Sequence, residues 1–334
     1  MMKYAKLKEY ELARIVLGVG LYGSSVPFQD GERILYSYLD KGGNAIDTGN
    51  VYANWIDPVN RSASERMLGK LFKSDPGLRG RLILCTKGAH YEFGDPSHTP
   101  RVNEGCIAYD VDDSLKNMGI EQIDFYWLHR DNPTYPVPLI MDALFAAQDA
   151  GKIVHYGASN WSARRIMDAN QYARSCGREG LFGSQIMFSY ALPIDVGDRT
   201  TMYFDEAMDG RAYLREGLAL FCYTSQAKGY ITKVLSGADL QASIAHDYEC
   251  ATNRERTERA RTVAEQIGGG CNAEQVGLAF LHQLPYNAFT IVGCRNEEQL
   301  LDSIGSCGIN LTPEQTAYLE EDRIPAPFVP QTGH

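Results

Sequence analysis

Short apolar runs alternate with amphipathic segments along almost the whole chain, and this alternation limits the fold more than any other feature. Residues 15–18, 45–47, 82–87, 125–129, 155–158, 184–188, 219–223 and 289–292 each read as a buried strand bounded by turn-forming residues. Helical spacing of apolar residues falls between them, over 31–41, 64–72, 102–118, 138–150, 163–175, 204–216, 254–267, 273–283 and 297–304, with Gly151 as a helix C-cap. About eight strand–helix units in a row predict an α/β chain closed as a (β/α)8 TIM barrel, because neighbouring parallel strands need a helical crossover.

Residues 3–14 alternate weakly around a polar centre, which suits a hairpin capping one end of the barrel, and further helices are expected at the C-terminal end. No Ser/Gly/Pro-rich linker or low-complexity tract divides the chain, so 1–334 is expected to be one barrel domain. The connections at 88–99, 190–203 and 224–253 read as long loops on one rim, where a barrel builds its substrate pocket.

A formal net charge of −10 argues against a nucleic-acid or anionic-membrane partner, since both require a cationic footprint. The N-terminus has no apolar signal-like region and no apolar run approaches a membrane span, which predicts a cytoplasmic protein. Its eight cysteines form no C-x-x-C pair and no zinc-like cluster, so they are expected to be buried free thiols, and no metal is expected.

Three successive strands end on reactive side chains. Asp47 closes the second strand, and Thr48-Gly49-Asn50-Val51-Tyr52 then presents a phenol; Lys87 closes the third strand and His129 the fourth. Taken singly, Asp47 suits a helix cap, Tyr52 a loop aromatic, and Lys87 and His129 a polar surface. Together they supply what carbonyl reduction by hydride transfer requires. Tyr52 is the proton donor, Lys87 a cation that lowers the phenol pKa, Asp47 the counter-charge of Lys87, and His129 a hydrogen-bond donor to the carbonyl oxygen. Gly18-Val19-Gly20-Leu21-Tyr22-Gly23 matches G-x-G-x-x-G after a strand, but Pro27 and Gly31 interrupt the helix that a Rossmann site needs at that point.

These motifs, from Leu17-Gly18-Val19-Gly20 through Asp47 and Tyr52, Thr86-Lys87, Leu128-His129, Ser159-Asn160-Trp161 and Gln185 to Ile291-Val292-Gly293, resemble the aldo-keto reductase family over nearly the whole chain. The resemblance implies a barrel oxidoreductase with Asp47, Tyr52, Lys87 and His129 as catalytic residues and NADP as cofactor, NADPH being preferred and NAD possible. It implies that Gly20 and Leu21 lie near the nicotinamide and that Ser159, Asn160 and Gln185 hold its carboxamide. Phe188 would stack on the ring, in place of the family's usual tyrosine. Tyr223, Thr224, Ser225, Gln226 and Lys228 resemble a pyrophosphate loop, departing from its common Tyr-Ser-Pro-Leu form. Gly293, Arg295, Gln299, Asp302 and Ser303 match the adenosine-phosphate region, with Gln299 where many NADPH-specific members have Arg. Tyr22, Trp55 and His90 are expected at the substrate, a small-molecule carbonyl compound such as an aldehyde, ketone or sugar. Two other readings share the barrel: a lyase using Lys87 as a Schiff-base nucleophile, and a nicotinamide-binding redox-sensing subunit. Oligomeric state is not set by these features.

Overall fold

A computed structural model describes residues 1–195, 198 and 200–321 and closes eight parallel strands into a barrel. A two-stranded hairpin, β1 (Tyr4–Leu7) and β2 (Tyr10–Ala13), precedes it. The barrel strands are β3 (Ile15–Gly18), β4 (Ala45–Asp47), β5 (Ile83–Gly88), β6 (Ile123–Leu128), β7 (Ile153–Ser159), β8 (Gly183–Met187), β9 (Ala219–Tyr223) and β10 (Asn287–Val292). They pair in chain order, and β10 closes the ring by pairing with β3, Thr290 opposite Ile15. The crossover helices are α1 (Phe28–Asp40), α2 (Ala63–Ser74), α3 (Glu104–Met118), α4 (Val137–Asp149), α5 (Ala163–Ser175) and α6 (Glu206–Glu216). After β9 come α7 (Tyr230–Ser236), α8 (Ala242–Tyr248), α9 (Ala251–Ile267) and α10 (Ala273–His282), and after β10 come α11 (Glu297–Gly305) and α12 (Pro313–Leu319).

Successive strand residues face opposite sides of a sheet, and this period of two sorts the barrel into an inner and an outer core. Val16, Ala45, Cys85, Phe125, Trp127, Phe221 and Phe289 fill the interior, while Ile15, Leu17, Ile46, Leu84, Tyr126, Leu128 and Val292 pack outward against the helices. Leu7 and Leu12 of the hairpin join the inner cluster, so the hairpin seals the end from which the strands enter. Continuing the inward parity toward the strand ends gives Gly20, Asp47, Lys87, His129, Ser159, Tyr223 and Gly293. The same alternation that packs the interior therefore brings the polar side chains of several strands to one mouth.

The expected elements differ from the structure mainly at their ends and in one connection. Residues 224–253 do not form a single long loop: they carry α7 and α8, and α9 begins at Ala251, before residue 254. Each of these two helices has only seven residues, too short for a clear period, and Gly237 at φ +68° ends α7. Gly151, at φ +72°, follows the last turn of α4, and its N–H binds the carbonyl of Gln148. At α12, Thr312 and Gln315 form a capping box with Pro313 at the first helical position. Buried thiols account for only part of the cysteine set: Cys85, Cys222, Cys294 and Cys307 are buried, Cys176 is exposed, and all eight are free. Among the described residues no helix is long and apolar enough to cross a membrane.

One packing contact gives a direct stability test. A methyl group on Gly69 of α2 would lie 2.4 Å from the backbone oxygen of Asn117 at the end of α3. Alanine gains about 1 kcal/mol of helix propensity over glycine, but overpacking against rigid backbone costs about 1–3 kcal/mol. Gly69→Ala is therefore expected to lower the urea midpoint at unchanged slope; a raised midpoint would mean that the two helices separate freely.

Candidate active site

Lys87 Nζ sits 2.5 Å from Asp47 Oδ2 and 2.7 Å from the carbonyl oxygen of Thr48, to which it also donates. Gln185 Nε2 donates to the other Asp47 oxygen at 2.8 Å, so both oxygens of this carboxylate are engaged. Above the pair, the ammonium lies 4.4 Å from the centroid of the Tyr52 ring. His129 meets the same ring edge-on at 5.5 Å. The four side chains picked out at the strand ends thus form one contiguous cluster.

Local backbone explains how Tyr52 gets there. The N–H of Thr48 binds the carbonyl of Cys85 and the N–H of Asn50 that of Lys87, so the chain leaving β4 is held against β5. Tyr52 N–H then closes a tight turn on Gly49 O. A Cβ on Gly20 would stand 2.9 Å from the Tyr52 ring, so the glycine at the end of the first barrel strand leaves room for the phenol. Ser64, at the start of α2, shares a 2.7 Å hydrogen bond with Thr48 and donates to Val19 O, fixing the loop from behind.

The electrostatics follow from burial and the ion pair. Burial pulls the Lys87 pKa down, but the Asp47 carboxylate and the Tyr52 phenol more than restore it, leaving an ammonium held above its ordinary value. Burial pushes the Tyr52 phenol up and Lys87 pulls it down; burial wins, so the expected net lowering of this phenol does not hold in the free protein. The phenol is therefore protonated at neutral pH. Burial, together with the His90 and Arg130 charges, holds His129 well below its ordinary value, which makes it a neutral imidazole. Its Nδ1 has no partner among the described residues.

Around this cluster stands an aromatic wall. Trp55 is 5.9 Å from Tyr52 and 5.4 Å from Phe93; His90 stacks on Phe93 at 5.0 Å and meets His129 at 4.6 Å. Trp55 is 46% exposed, which leaves one face of the wall open to solvent. Phe93 and Arg130 were not singled out from the sequence. Phe93 lies in the connection expected to line a pocket, and Arg130 directly follows His129, its Nε donating to Thr200 at 2.9 Å and its Nη1 to His129 O at 3.0 Å.

The other expected positions divide into those that reach the mouth and those that do not. Ser159, Asn160 and Gln185 are buried together at the ends of β7 and β8. Leu21 is partly buried against the outer core, its carbonyl accepting from Val26 N–H. Tyr22 turns outward between α1 and α2: it is 1% exposed and packs so closely that a Cβ on Gly31 would come within 2.8 Å of its ring. Phe188 belongs to the outer core, edge-on to Phe204 at 5.1 Å, because it lies an odd number of residues beyond Gln185 on the strand path. The ring at the mouth on that side is Tyr223, whose hydroxyl donates to Asn160 Oδ1 at 2.6 Å.

After β9, Thr224, Ala227, Lys228 and Gly229 have positive φ, and Ser225 Oγ donates to Ile291 O at 2.8 Å, tying the loop to β10. The Lys228 ammonium is paired with Asp247 of α8, and Gln226 Nε2 donates to Ser303 Oγ at 3.3 Å. A side chain on Gly293 would meet nothing within 4 Å, so the space beside this exposed glycine is open. Arg295 is exposed, with its N–H bound by Gln299 Oε1 at 2.9 Å. Asp302 is engaged by Asn272 and Gln275 at the start of α10, at 2.6 and 2.9 Å.

With this geometry in hand, comparison with known proteins gives the class. The Aldo/keto reductase family is matched over residues 14–323, and the chain belongs to that family. Among curated relatives, it is 26% identical over 308 residues to an aryl-alcohol dehydrogenase [NADP(+)] of Phanerodontia chrysosporium, covering 86% of this chain and 74% of that one. It is 27% identical over 312 residues to a probable aryl-alcohol dehydrogenase of Saccharomyces cerevisiae, covering 86% and 85%. Norsolorinic acid reductase of Emericella nidulans is 28% identical over 300 residues, covering 87% and 71%. Family and relatives together support an oxidoreductase acting on a small molecule.

Proposed function

We propose that the protein reduces the carbonyl group of an aryl aldehyde or ketone to the alcohol, using NADPH in preference to NADH, with Tyr52 as the general acid. The observation that carries this reading is the stacking order Asp47, Lys87, Tyr52: a carboxylate 2.5 Å from an ammonium that lies 4.4 Å from the phenol ring centroid. The nicotinamide supplies the hydride. Tyr52, protonated in the resting site, gives its proton to the developing alkoxide as the neutral His129 holds the same oxygen by a hydrogen bond. Lys87 stabilises the phenolate that remains, and Asp47 keeps Lys87 charged. That charge also counts against a Schiff-base lyase, which needs a neutral amine.

The residues at the mouth fit a dinucleotide. Gln185 has a carbonyl oxygen without a partner among the described residues, Ser159 lies opposite it on the neighbouring strand, and the space beside Gly293 at the end of β10 is open. Tyr223 is the ring placed to pack on the nicotinamide. Trp55, Phe93 and His90 offer faces to a planar substrate, consistent with the two relatives named for aryl alcohols. An NADPH-oxidation screen of aryl aldehydes against sugars and short aliphatic aldehydes tests the class. Aryl substrates should give the higher kcat/KM, and preference for sugars would overturn the assignment.

Cofactor choice rests on Arg295. Its guanidinium is exposed and has no partner among the described residues, whereas Gln299 is folded back on the backbone and Lys228 is neutralised by Asp247. Arg295→Ala is expected to weaken NADPH binding by about 1.5–3 kcal/mol, the range for a charged hydrogen bond, and to leave NADH binding nearly unchanged. Titration of nicotinamide fluorescence measures both; equal losses would place Arg295 at the adenine or in a purely structural role.

A further inference from the structure

One buried carboxyl lies outside the cluster at the barrel mouth. Glu65, the third residue of α2, is fully buried and faces α3 one turn before Gly69. Its Oε1 accepts from Thr86 Oγ1 at 2.6 Å and its Oε2 from Asn117 Nδ2 at 3.1 Å. Asn117 Nδ2 also donates to Asp113 Oδ2 at 3.1 Å, and that oxygen accepts from Asn50 Nδ2 at 2.8 Å. Asn50 belongs to the loop between Asp47 and Tyr52, where its N–H binds Lys87 O and its carbonyl accepts from Ser62 Oγ at 2.5 Å. Thr86 directly precedes Lys87 on β5. Two short paths thus connect Glu65 to the segments that carry Lys87 and Tyr52.

The groups that donate to Glu65 are neutral, and no Lys or Arg pairs with it among the described residues. The charged and titratable groups packed around it are Asp113 and Asp110 of α3, the latter paired with Arg101, and the phenol of Tyr126 on β6; the Lys87 ammonium of β5 is taken up by Asp47. Burial, with the Asp113 carboxylate adding to it, pushes the Glu65 carboxyl up to about 7 against its hydrogen bonds. The positive end of the α2 dipole favours the anion, a smaller effect than complete burial. Escape of the side chain to water is blocked, since a Cβ on Gly69 would already stand 2.4 Å from Asn117 O.

We propose that Glu65 is a positioning residue that holds the Tyr52 loop through Asn117, Asp113 and Asn50 while it carries a proton, and that losing this proton to solvent loosens the loop and slows carbonyl reduction. A protonated carboxyl donates to Thr86 Oγ1 and accepts from Asn117. An ionised one sets a second negative charge beside Asp113, with Asn117 as the neutral donor they share. The effect on reduction rests on the proposed function; the effect on the loop does not.

The test follows two readouts on both sides of neutral pH in wild type, Glu65→Gln and Asp113→Asn. One is kcat/KM for reduction of an aryl aldehyde by NADPH. The other needs no turnover: acrylamide quenching of the fluorescence of Trp55, which lies in the same loop 5.9 Å from the Tyr52 ring. Glutamine keeps the bonding of the protonated carboxyl, its Nε2 donating to Thr86 and its Oε1 accepting from Asn117. Asp113→Asn alters a partly exposed position and keeps the test decisive if glutamine disturbs the packing. In wild type, kcat/KM should fall by about 2–30-fold as pH rises through the Glu65 transition, the span usual for a residue acting on a site it does not touch. Trp55 should become easier to quench over the same range. Glu65→Gln should lack both changes, and Asp113→Asn should move both to lower pH, because the repelling carboxylate is gone. Wild type without these changes, or Glu65→Gln showing them unaltered, overturns the inference; so does a quenching change that kcat/KM does not follow in active protein. Wild type that shows the quenching change but reduces no aldehyde overturns the proposed function and leaves the proton-dependent loop standing.

Discussion

Tyr52→Phe is expected to lower kcat for carbonyl reduction by about 10²–10⁴, the usual contribution of a positioned general acid, with little change in NADPH affinity. Only the hydroxyl is lost. The phenyl ring keeps its place over Lys87 and beside His129 and Trp55, and no hydrogen bond from the Tyr52 side chain supports Ser159, Gln185 or the loop after β9. Removing a transition-state interaction while sparing the ground state lowers kcat and kcat/KM together. Steady-state kinetics and fluorescence titration on the same preparation separate the two effects. A loss smaller than about tenfold, or ~1.4 kcal/mol, would mean that another group donates the proton.

Lys87→Met should have the next largest effect, and its direction follows from the charges. In the folded protein burial already raises the Tyr52 phenol, and the Lys87 ammonium is the main influence pulling it back. Without that ammonium the phenol rises further. Reduction needs the protonated phenol, so its alkaline limb should move to higher pH; alcohol oxidation needs the phenolate, so its acid limb should move to higher pH as well. The change also leaves Asp47 buried without its cation, which costs about 3–5 kcal/mol when one partner of a buried pair is removed. Gln185 still donates to Asp47 and offsets part of that. The measurement is the pH dependence of kcat/KM in both directions on folded protein; unshifted limbs with a weakened Michaelis complex would show that Lys87 holds substrate and does not tune Tyr52.

The barrel and the side-chain cluster at its strand ends were legible because each depends on local periodicity. Ala45 to Asp47, Cys85 to Lys87 and Phe125 through Trp127 to His129 each step by two along a strand. The apolar pattern that identifies the inner face therefore also places its polar last member at the mouth. The same logic explains Phe188. Counting three residues from Gln185 reverses the face, and Phe204 of the following segment holds the ring in the outer core. Tyr22 looked like a pocket residue because it follows the glycines of the first barrel strand. Its position is decided by Gly31 of α1, which leaves a slot for the ring, and only the packed structure reveals that slot. The ion pair of Lys228 was not legible, because its partner, Asp247, lies on α8, a helix too short to register in the pattern. What remained hidden were contacts between connections distant in sequence, such as Trp55 with Phe93 and Asn160 with Met202.

The central claim is that the nicotinamide passes hydride directly to a carbonyl carbon held beside Tyr52. NADPH carrying deuterium at the transferable C4 position, incubated with the protein and a substituted benzaldehyde in ordinary water, tests it by mass spectrometry of the alcohol. The account predicts one deuterium on the carbinol carbon of nearly every product molecule, and almost no product from Tyr52→Phe. Alcohol free of deuterium, or a Tyr52→Phe variant forming labelled alcohol at the wild-type rate, would contradict it.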